Sequence, residues 1–411
     1  MHIFLNALGA SCASGFTYVR NVLPNLSACP GVRTTVAVNR KLRRELPDSE
    51  RITVHDILVP ADAARRFWFE QTRLPGIIRR SGADVLISAG NFALWYSPVP
   101  QILLSGNSLY TSSDFSNDLR SRKEYLLLRE NRIKSFFARL SIHWADSTVA
   151  PSRSFAEDLR KWAAKEVSSI YHGFDQEVFF ADRTPLPENI RHRLDSSQDA
   201  LRLLFVSHYN YYRNFETLLG AIPNLRARLR KKIRLFLTCN LRSDDNPGSY
   251  RAERAAALVG RLGIEEEVVQ LGAVPYRQLH QLYKQCDIYV SPAYAETFAH
   301  PLVEAMACGL PVVTSDLPVH REICGRAALY FQRFSSKELS AQIVRLAESP
   351  ALCRELSAAA RSRSRDFSWA KHVHELVTLA FELSGSCKPL SRSRDSTAAS
   401  GADVQAVREV G

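Results

Sequence analysis

Short apolar runs alternate with longer segments of helical periodicity along this 411-residue chain. The runs are rich in β-branched and aromatic residues, a pattern typical of buried strands. In the first half they predict strands at 2–5, 34–38, 85–88, 101–104 and 147–150. In the second half they predict strands at 203–206, 233–238, 268–271, 288–290 and 312–314, with helices near 214–230, 250–262, 276–285 and 301–307. This alternation indicates βαβ units, and therefore an α/β protein with two doubly wound parallel sheets.

A polar stretch with Pro185 and Pro187, over residues 176–200, separates the two halves and predicts an interdomain linker. Ligands of open α/β sheets bind beyond the carboxyl ends of the strands, so we expect a cleft between the domains to hold the site. The predicted organisation is a Rossmann-like domain over 1–185, a second over 186–366, a helix over 367–384 that packs back on the first domain, and a disordered tail over 385–411.

A net charge of +12 favours anionic partners such as sugar nucleotides, nucleic acid or acidic lipids. The basic residues are dispersed and form no known nucleic-acid-binding motif, so no nucleic-acid partner is expected. The eight cysteines contain no CxxC pair, which favours reduced thiols and a cytoplasmic protein. No run reaches the roughly 18 apolar residues of a membrane span. Any membrane contact is therefore expected to be peripheral, on the inner face.

Residues 286–313 concentrate the candidate chemistry, because they combine a strand, a loop, a short helix and a second strand. Pro301 suits the first helical position, whereas Gly309 suits the left-handed end. The amides at the start of this helix carry partial positive charge and suit a diphosphate. Glu304 could accept hydrogen bonds from a ribose diol, and Glu296 from sugar hydroxyls. On physical grounds alone, an alternative remains open for each residue. Glu296 could be a solvated loop residue, and Glu304 could only complement the helix dipole.

The sequence ETFAHPLVEAMACGLPVV resembles the Glu-x7-Glu motif of retaining GT-B glycosyltransferases of the glycosyltransferase 4, or group 1, type. The resemblance implies two Rossmann-like domains facing across a cleft. It also implies that Glu296 contacts the donor hexose and that Glu304 binds ribose, while the loop amides hold sugar and phosphate. Those amides belong to Phe298, Ala299 and His300. Thr297 and Ala299 occupy positions where the family commonly has glycine, which makes the loop less tolerant of positive φ.

Residues 203–219 resemble the family's strand and polar loop that precede a phosphate-binding cation. Arg213 stands at the position of the family's Lys, where it would neutralise the leaving diphosphate, and Asn214 follows it. Ser207 replaces the usual Gly, and His208 or Tyr209 replaces the usual Arg. The alternative is that Arg213 is a surface residue at a helix end.

Two further segments complete the predicted donor site. Residues 270–276 resemble the turn that lies against the nucleotide base, with Gly272 and Val274 making backbone contacts, although an ordinary strand-to-helix turn is equally compatible. Asn240 follows another predicted strand and is expected to line the same cleft.

On the acceptor side, the resemblance indicates the loop containing Gly9 and Gly15, and the stretch around Asn107. Family members often carry a His near the position of Asn107. Asn107 can donate and accept hydrogen bonds but cannot shuttle a proton, so no catalytic acid is assigned.

Residues 120–140 combine apolar positions with seven basic residues in a helical pattern. Such a helix either packs on the sheet or lies on an anionic membrane, and packing is the commoner cause.

The predicted function is transfer of a mannose- or glucose-type hexose from a nucleoside diphosphate sugar to a hydroxyl of a saccharide or lipid-linked acceptor. The anomeric configuration would be retained, and the product would belong to a polysaccharide, lipopolysaccharide or glycolipid. No metal or other cofactor is expected, because Asp244 and Asp245 suit a surface turn better than a Mg²⁺ site. The alternatives are a sugar-nucleotide epimerase or phosphorylase on the same fold, or a non-enzymatic nucleotide-sugar-binding protein.

Overall fold

A computed structural model describes residues 1–10, 13–44, 46, 51–58, 62–174, 183–248 and 250–385. The first half forms one parallel sheet, in the order β3-β2-β1-β4-β5-β6-β7. Its strands are β1 (His2–Asn6), β2 (Arg33–Val38), β3 (Ile52–Asp56), β4 (Val85–Ala89), β5 (Gln101–Leu104), β6 (Ser147–Ala150) and β7 (Ser168–Ser169).

Six helices accompany these strands in the described residues of the first half: α1 (Ala13–Ala28), α2 (Arg40–Arg43), α3 (Ala63–Ser81), α4 (Ser113–Ser121), α5 (Tyr125–Trp144) and α6 (Arg153–Ala163). Local sequence fixes several of their ends. Asp62 caps α3 by accepting from the Arg65 amide, and Gly82 ends it in the left-handed conformation. Ser152 caps α6 in the same way, through the Phe155 amide.

The second half forms another parallel sheet, in the order β10-β9-β8-β11-β12-β13. The strands are β8 (Leu201–Phe205), β9 (Ile233–Leu237), β10 (Val268–Gln270), β11 (Ile288–Ser291), β12 (Val312–Ser315) and β13 (Ala328–Phe331). The helices are α7 (Glu188–Asp195), α8 (Phe215–Arg228), α9 (Glu253–Leu262), α10 (Leu279–Lys284), α11 (His300–Ala307), α12 (Pro318–Cys324), α13 (Ser336–Ala347), α14 (Pro350–Ser364) and α15 (Trp369–Leu383).

Both sheets reverse their strand order at one point, between β1 and β4 and between β8 and β11. Ligands of doubly wound sheets bind at this switch point, beyond the carboxyl ends of the strands. The loops after β8 and β11 hold Arg213 and Glu296 respectively. The topology therefore brings together two residues that lie 83 positions apart in the chain.

Three strands, β3, β7 and β13, were not predicted, and the predicted linker was partly wrong. Strand β3 is an edge strand whose residues Thr53, His55 and Asp56 are exposed, so it lacks an apolar run. Within 176–200, the helix α7 buries Ile190 and Leu194 against the second sheet. Residues 176–182 of that stretch lie outside the described residues, as do residues 386–411 of the predicted tail.

Helix α15 returns to the first half and packs against α1. Its residues Trp369, Val373 and Leu376 share an apolar cluster with β1 and α1. The crossing is close, because a Cβ atom at Gly173 would lie 2.0 Å from the Trp369 amide nitrogen. A glycine at position 173 permits this backbone approach, which any side chain would prevent.

Helix α4 crosses in the opposite direction, from the first half to the second. Phe115 and Leu119 lie in the apolar cluster of the second sheet. The Tyr294 hydroxyl donates to Asp118 at 2.7 Å, and Arg122 pairs with Glu216 at 2.8 Å. The two halves are thus joined on both sides of the cleft. Among the described residues, no helix is long and apolar enough to cross a membrane.

Candidate active site

A cavity of about 260 Å³ lies between the carboxyl edges of the two sheets. The first half contributes the loops after β4, β5 and β6 and part of α1, while the second half contributes the loops after β8 and β11. Seven of the predicted site residues line it: Gly15, Asn107, Arg213, Glu296, Phe298, Ala299 and His300. Asn91, which was not predicted, lines it as well.

Arg213 and Glu296 form an ion pair in this cavity. Their side chains retain 20% and 12% of their exposure, so neither is a solvated surface group. Although burial disfavours the charged form, Arg213 holds the pKa of Glu296 below its usual range. The Nε atom of Arg213 has no hydrogen-bond partner among the described residues. The guanidinium therefore has N–H donors that Glu296 does not use, next to a carboxylate that stays ionised.

Asn214 fixes the position of this pair. It is buried, adopts a left-handed conformation with φ of 56°, and donates from Nδ2 to the Pro292 carbonyl at 3.0 Å. Thr217 in turn donates to Asn214 Oδ1 at 2.8 Å. Because these bonds tie the loop after β8 to the loop after β11, they set the spacing of Arg213 and Glu296. The Asn214 side chain, predicted to bind donor, is occupied by these contacts.

Helix α11 begins at the cavity wall. Ala299 precedes it with φ of 64°, the left-handed conformation expected where the family has glycine, and Pro301 occupies the first turn. Burial lowers the pKa of His300 to about 4, so its imidazole is neutral. Since the first amides of a helix lack internal partners, this end of α11 offers donors and a favourable dipole to an anion in the cavity.

Glu304 lies one turn further along α11 but does not line the cavity. It is buried and accepts from the Tyr283 hydroxyl at 2.8 Å. Burial raises the pKa of Glu304 to about 7, although hydrogen bonds from Tyr283 and Tyr276 oppose the shift. Glu304 is therefore bonded to tyrosine hydroxyls outside the cavity lining. A ribose that binds it would have to displace or join these hydroxyls.

Imidazole and aromatic rings pack together at one side of the cavity, a feature that the sequence did not reveal. His172 contacts His300 and His372 at ring-centroid distances of 5.2 and 5.4 Å. The Tyr18 hydroxyl donates to His372 Nε2 at 3.0 Å, because His372 Nδ1 donates to the Tyr171 carbonyl. Burial lowers the pKa of all three histidines, so this wall is uncharged.

The remaining predicted donor residues lie outside the cavity lining. Gly272 adopts a left-handed φ of 74° next to Asn240, and Asn240 borders an open groove with Arg193 and Gln270. Val274 packs against the apolar cluster that contains Phe298. The Ser207 amide donates to Thr238 Oγ1 at 3.0 Å, and burial together with Arg213 lowers the pKa of the neighbouring His208.

On the acceptor side, Gly15 and Asn107 line the cavity but Gly9 does not. A Cβ atom at Gly15 would lie 2.9 Å from Ala10 Cα, which explains the glycine. Asn107 caps a short helical turn through the Leu109 amide. Asn91, which follows β4, accepts from the Gly106 amide at 2.7 Å and so holds this loop. Its signal in the sequence was its place just beyond a strand end.

Asp244 and Asp245 form part of a single 3₁₀ turn, and Asp245 accepts from Asn240 at 2.9 Å. Within the described ranges, no group of three or more His, Cys, Asp or Glu side chains is arranged to hold a metal ion. Metal independence stays a prediction.

Two family models match the chain in its two halves. The model of glycosyl transferases group 1 matches residues 187–363, and that of Glycosyltransferase Family 4 matches residues 16–178. The serotype-specific mannosyltransferase WbdA of Escherichia coli is 25% identical over 273 residues, covering 64% of this chain but only 31% of that protein. The chain thus spans less than a third of the length of this curated relative.

Solved structures match over nearly the whole chain. Sucrose-phosphate synthase from Thermosynechococcus elongatus superposes with a TM-score of 0.74 at 16% identity, covering 94% of this chain and 100% of that one. Anabaena HepE in complex with UDP-glucose has a TM-score of 0.68 at 15% identity, covering 93% and 100%. At this level of identity the likeness concerns the fold.

Two parallel sheets whose carboxyl edges face each other across a cleft define the GT-B class of glycosyltransferase folds. Within that class, the chain belongs to the group 1, family 4 glycosyltransferases.

Proposed function

We propose that the protein transfers a hexose from a nucleoside diphosphate sugar to an acceptor hydroxyl, with retention at the anomeric carbon and without a metal ion. The observation that carries the proposal is the Arg213–Glu296 pair beside the start of α11, at the switch point of the second sheet and facing the first. The acceptor would enter from the side of Asn91 and Asn107.

Departure of the diphosphate is the step for which this site is best suited. Negative charge builds on the leaving oxygen as the glycosidic bond breaks, and fixed donors that meet this charge lower the barrier. The Arg213 guanidinium has more N–H donors than Glu296 uses, and it lines the same cavity as the amides at the start of α11. Together they can take over the stabilising role that a metal ion has in other enzymes.

Glu296 would hold the sugar while the bond breaks. Its low pKa keeps it ionised, so it can accept hydrogen bonds from two hydroxyls. Glu304 would bind the ribose once the donor displaces or joins the tyrosine hydroxyls that now contact it. The uncharged wall of His172 and His300 would exclude water from the anomeric carbon, which disfavours hydrolysis.

The relatives suggest which donors to test first. HepE is described in complex with UDP-glucose, and WbdA is named a mannosyltransferase. We infer a glucose- or mannose-type donor for this chain, carried on UDP or GDP, and a saccharide or lipid-linked acceptor.

A thermal-shift panel of UDP- and GDP-sugars, followed by a transfer assay with the stabilising donor, tests the proposal. Arg213→Ala should lower kcat on the order of 10²- to 10³-fold, the usual effect of removing one preorganised donor to a developing oxyanion. Glu296→Gln should weaken both donor binding and turnover. Glu348→Gln and Arg345→Ala, at exposed positions, are matched controls and should leave both unchanged.

The anomeric configuration of the product, read by NMR, tests retention, and activity in excess EDTA tests metal independence. Interconversion of the donor sugar in the absence of acceptor would identify an epimerase instead. A protein that binds a donor yet neither hydrolyses nor transfers it would be a nucleotide-sugar-binding protein, and the transferase proposal would fail.

A further inference from the structure

Large apolar side chains lie exposed on one face of the first half. Trp68 on α3 is 57% exposed, Trp95 and Tyr96 after β4 are 44% and 56% exposed, and Ile133 and Phe136 on α5 are 53% and 60% exposed. A single exposed aromatic residue is ordinary, but a contiguous group of them marks an interaction site.

These side chains form one continuous surface. Trp68 contacts Trp95 at a ring-centroid distance of 5.5 Å. Phe67 bridges α3 to α5 through Phe137 at 5.2 Å, and Phe136 contacts Phe137 at 5.6 Å. We call this surface the aromatic face; it consists of Phe67, Trp68, Trp95, Tyr96, Ile133, Phe136 and Phe137.

Helix α5 contributes apolar residues to the aromatic face at positions that follow the helical period. The helix buries Leu128, Ala138 and Ile142 against the domain. Leu126, which is 77% exposed, lies seven residues before Ile133, and therefore on the same side of the helix. One side of α5 therefore packs against the protein, and a second apolar stripe stays exposed.

Positive charges predominate around the aromatic face, although Glu130 on α5 is exposed. Exposed arginines flank it on both helices: Arg65, Arg73 and Arg79 on α3, and Arg129, Arg132 and Arg139 on α5. The carboxylates on these helices are engaged, because Glu70 is buried and Glu130 pairs with Lys134. An anionic surface would meet no exposed carboxylate on α3.

We propose that the aromatic face binds the surface of an anionic lipid bilayer. Trp and Tyr place an apolar ring and a polar edge at the level of lipid headgroups. Arginines beside them reach the phosphates while their stems cover apolar surface. A protein partner would favour mixed charges that pair one by one, whereas a bilayer favours this excess of exposed arginines.

The aromatic face adjoins the cavity on its acceptor side. Phe92 contacts Tyr110 at 6.4 Å, and the neighbouring Asn91 and Asn107 line the cavity. A bilayer bound here would lie beside the entrance formed by the first half. The proposal itself concerns lipid binding, so it stands or falls independently of the proposed transfer reaction.

Sedimentation of the full chain with vesicles tests it, using phosphatidylcholine alone or mixed equally with phosphatidylglycerol. We expect binding only to the anionic vesicles, weakened by added salt, with a blue shift of tryptophan emission. Arg129→Glu combined with Arg132→Glu should reduce binding by at least about tenfold, since each cation near an anionic bilayer contributes about fivefold. Trp68→Ser combined with Phe136→Ser should reduce the blue shift, to which Trp95 still contributes, and weaken binding.

The matched controls are Arg345→Glu with Arg365→Glu, and Phe334→Ser, which alter exposed residues of the second half. They should bind vesicles as the unchanged protein does. Thermal melting of each variant confirms that it is folded. The proposal is overturned if the α5 and aromatic variants bind as well as these controls. It is also overturned if the protein does not bind vesicles but forms a dimer that the same variants dissociate. The aromatic face would then be the interface between two copies of the chain.

Discussion

Glu304 is a carboxyl group held in surroundings that favour its neutral form. It is 5% exposed and its pKa is raised to about 7 by burial. Only the ionised form can accept two hydrogen bonds from a diol, so donor affinity should increase as the pH rises through 7. The residue that we propose to hold a ribose is therefore one whose ionised form opposes folding at the same pH.

Replacing Glu304 by Gln should expose this conflict. An unfolded Glu titrates near pH 4.3, so the folded state holds the proton more tightly between that value and 7. Protonated Glu304 therefore stabilises the folded state. This stabilisation is complete below the pKa that the residue has in the unfolded chain, and it is lost as the pH rises through its pKa in the folded protein. From pH 4 to 8 the unchanged protein should lose about 3 kcal/mol of unfolding free energy relative to Glu304→Gln. Urea titrations measure this, with Glu348→Gln as control; parallel pH profiles for the unchanged protein and Glu304→Gln would contradict it.

At the scale of elements, α15 completes the core of the first half although it follows the second half in the chain. Leu376 and Val377 are fully buried beside Val19 and Val22 of α1. A helix of 15 residues with one such face owes its stability mainly to packing rather than to intrinsic propensity.

Leu376→Ala should therefore destabilise the protein by about 2–5 kcal/mol, because the deletion leaves a cavity in a packed core. Lys371→Ala, on the exposed side of the same helix, should change stability by less than about 0.5 kcal/mol. Chemical denaturation followed by circular dichroism measures both. Equal effects of the two substitutions would show that α15 does not support the first core.

The sequence predicted elements where one local cause dominates. Strands β5 and β6 have the predicted bounds, since each is a short run with a proline at one end and a polar residue at the other. The pair Arg213 and Glu296 was found because each belongs to a local motif. Tyr18, His172 and His372 were not, because three distant segments bring them together and no pattern within any one segment signals that contact. The α5 part of the aromatic face was signalled by the amphipathic pattern of residues 120–140. Its contacts with α3 and with the loop after β4 were not, for the same reason.

At the scale of the whole molecule, a carboxylate from the second half caps a helix of the first. Glu322 on α12 accepts from the amides of Arg153 and Ser154 at 2.8 and 2.7 Å, at the start of α6. It also accepts from the Tyr171 hydroxyl at 2.7 Å. Helix starts attract negative charge, so this contact couples the two sheets mechanically and electrostatically.

Glu322→Ala should weaken that coupling. We expect a loss of about 1–2 kcal/mol, as for other helix caps, and a calorimetric transition that broadens or divides because the halves unfold less cooperatively. Glu348→Ala should leave the transition unchanged. A single sharp transition in Glu322→Ala would show that the contacts of α4 and α15 suffice to join the halves.

The return of α15 to the first half also has a consequence for synthesis on the ribosome. Helix α1 leaves the ribosome some 355 residues before the helix that covers it is finished, since α1 ends at Ala28 and α15 at Leu383. At translation rates of about 5–20 residues per second, the apolar face of α1 stays uncovered for roughly 20–70 s before α15 is synthesised. During that interval the nascent first half presents an open core, and we expect it to be a client of ribosome-associated chaperones.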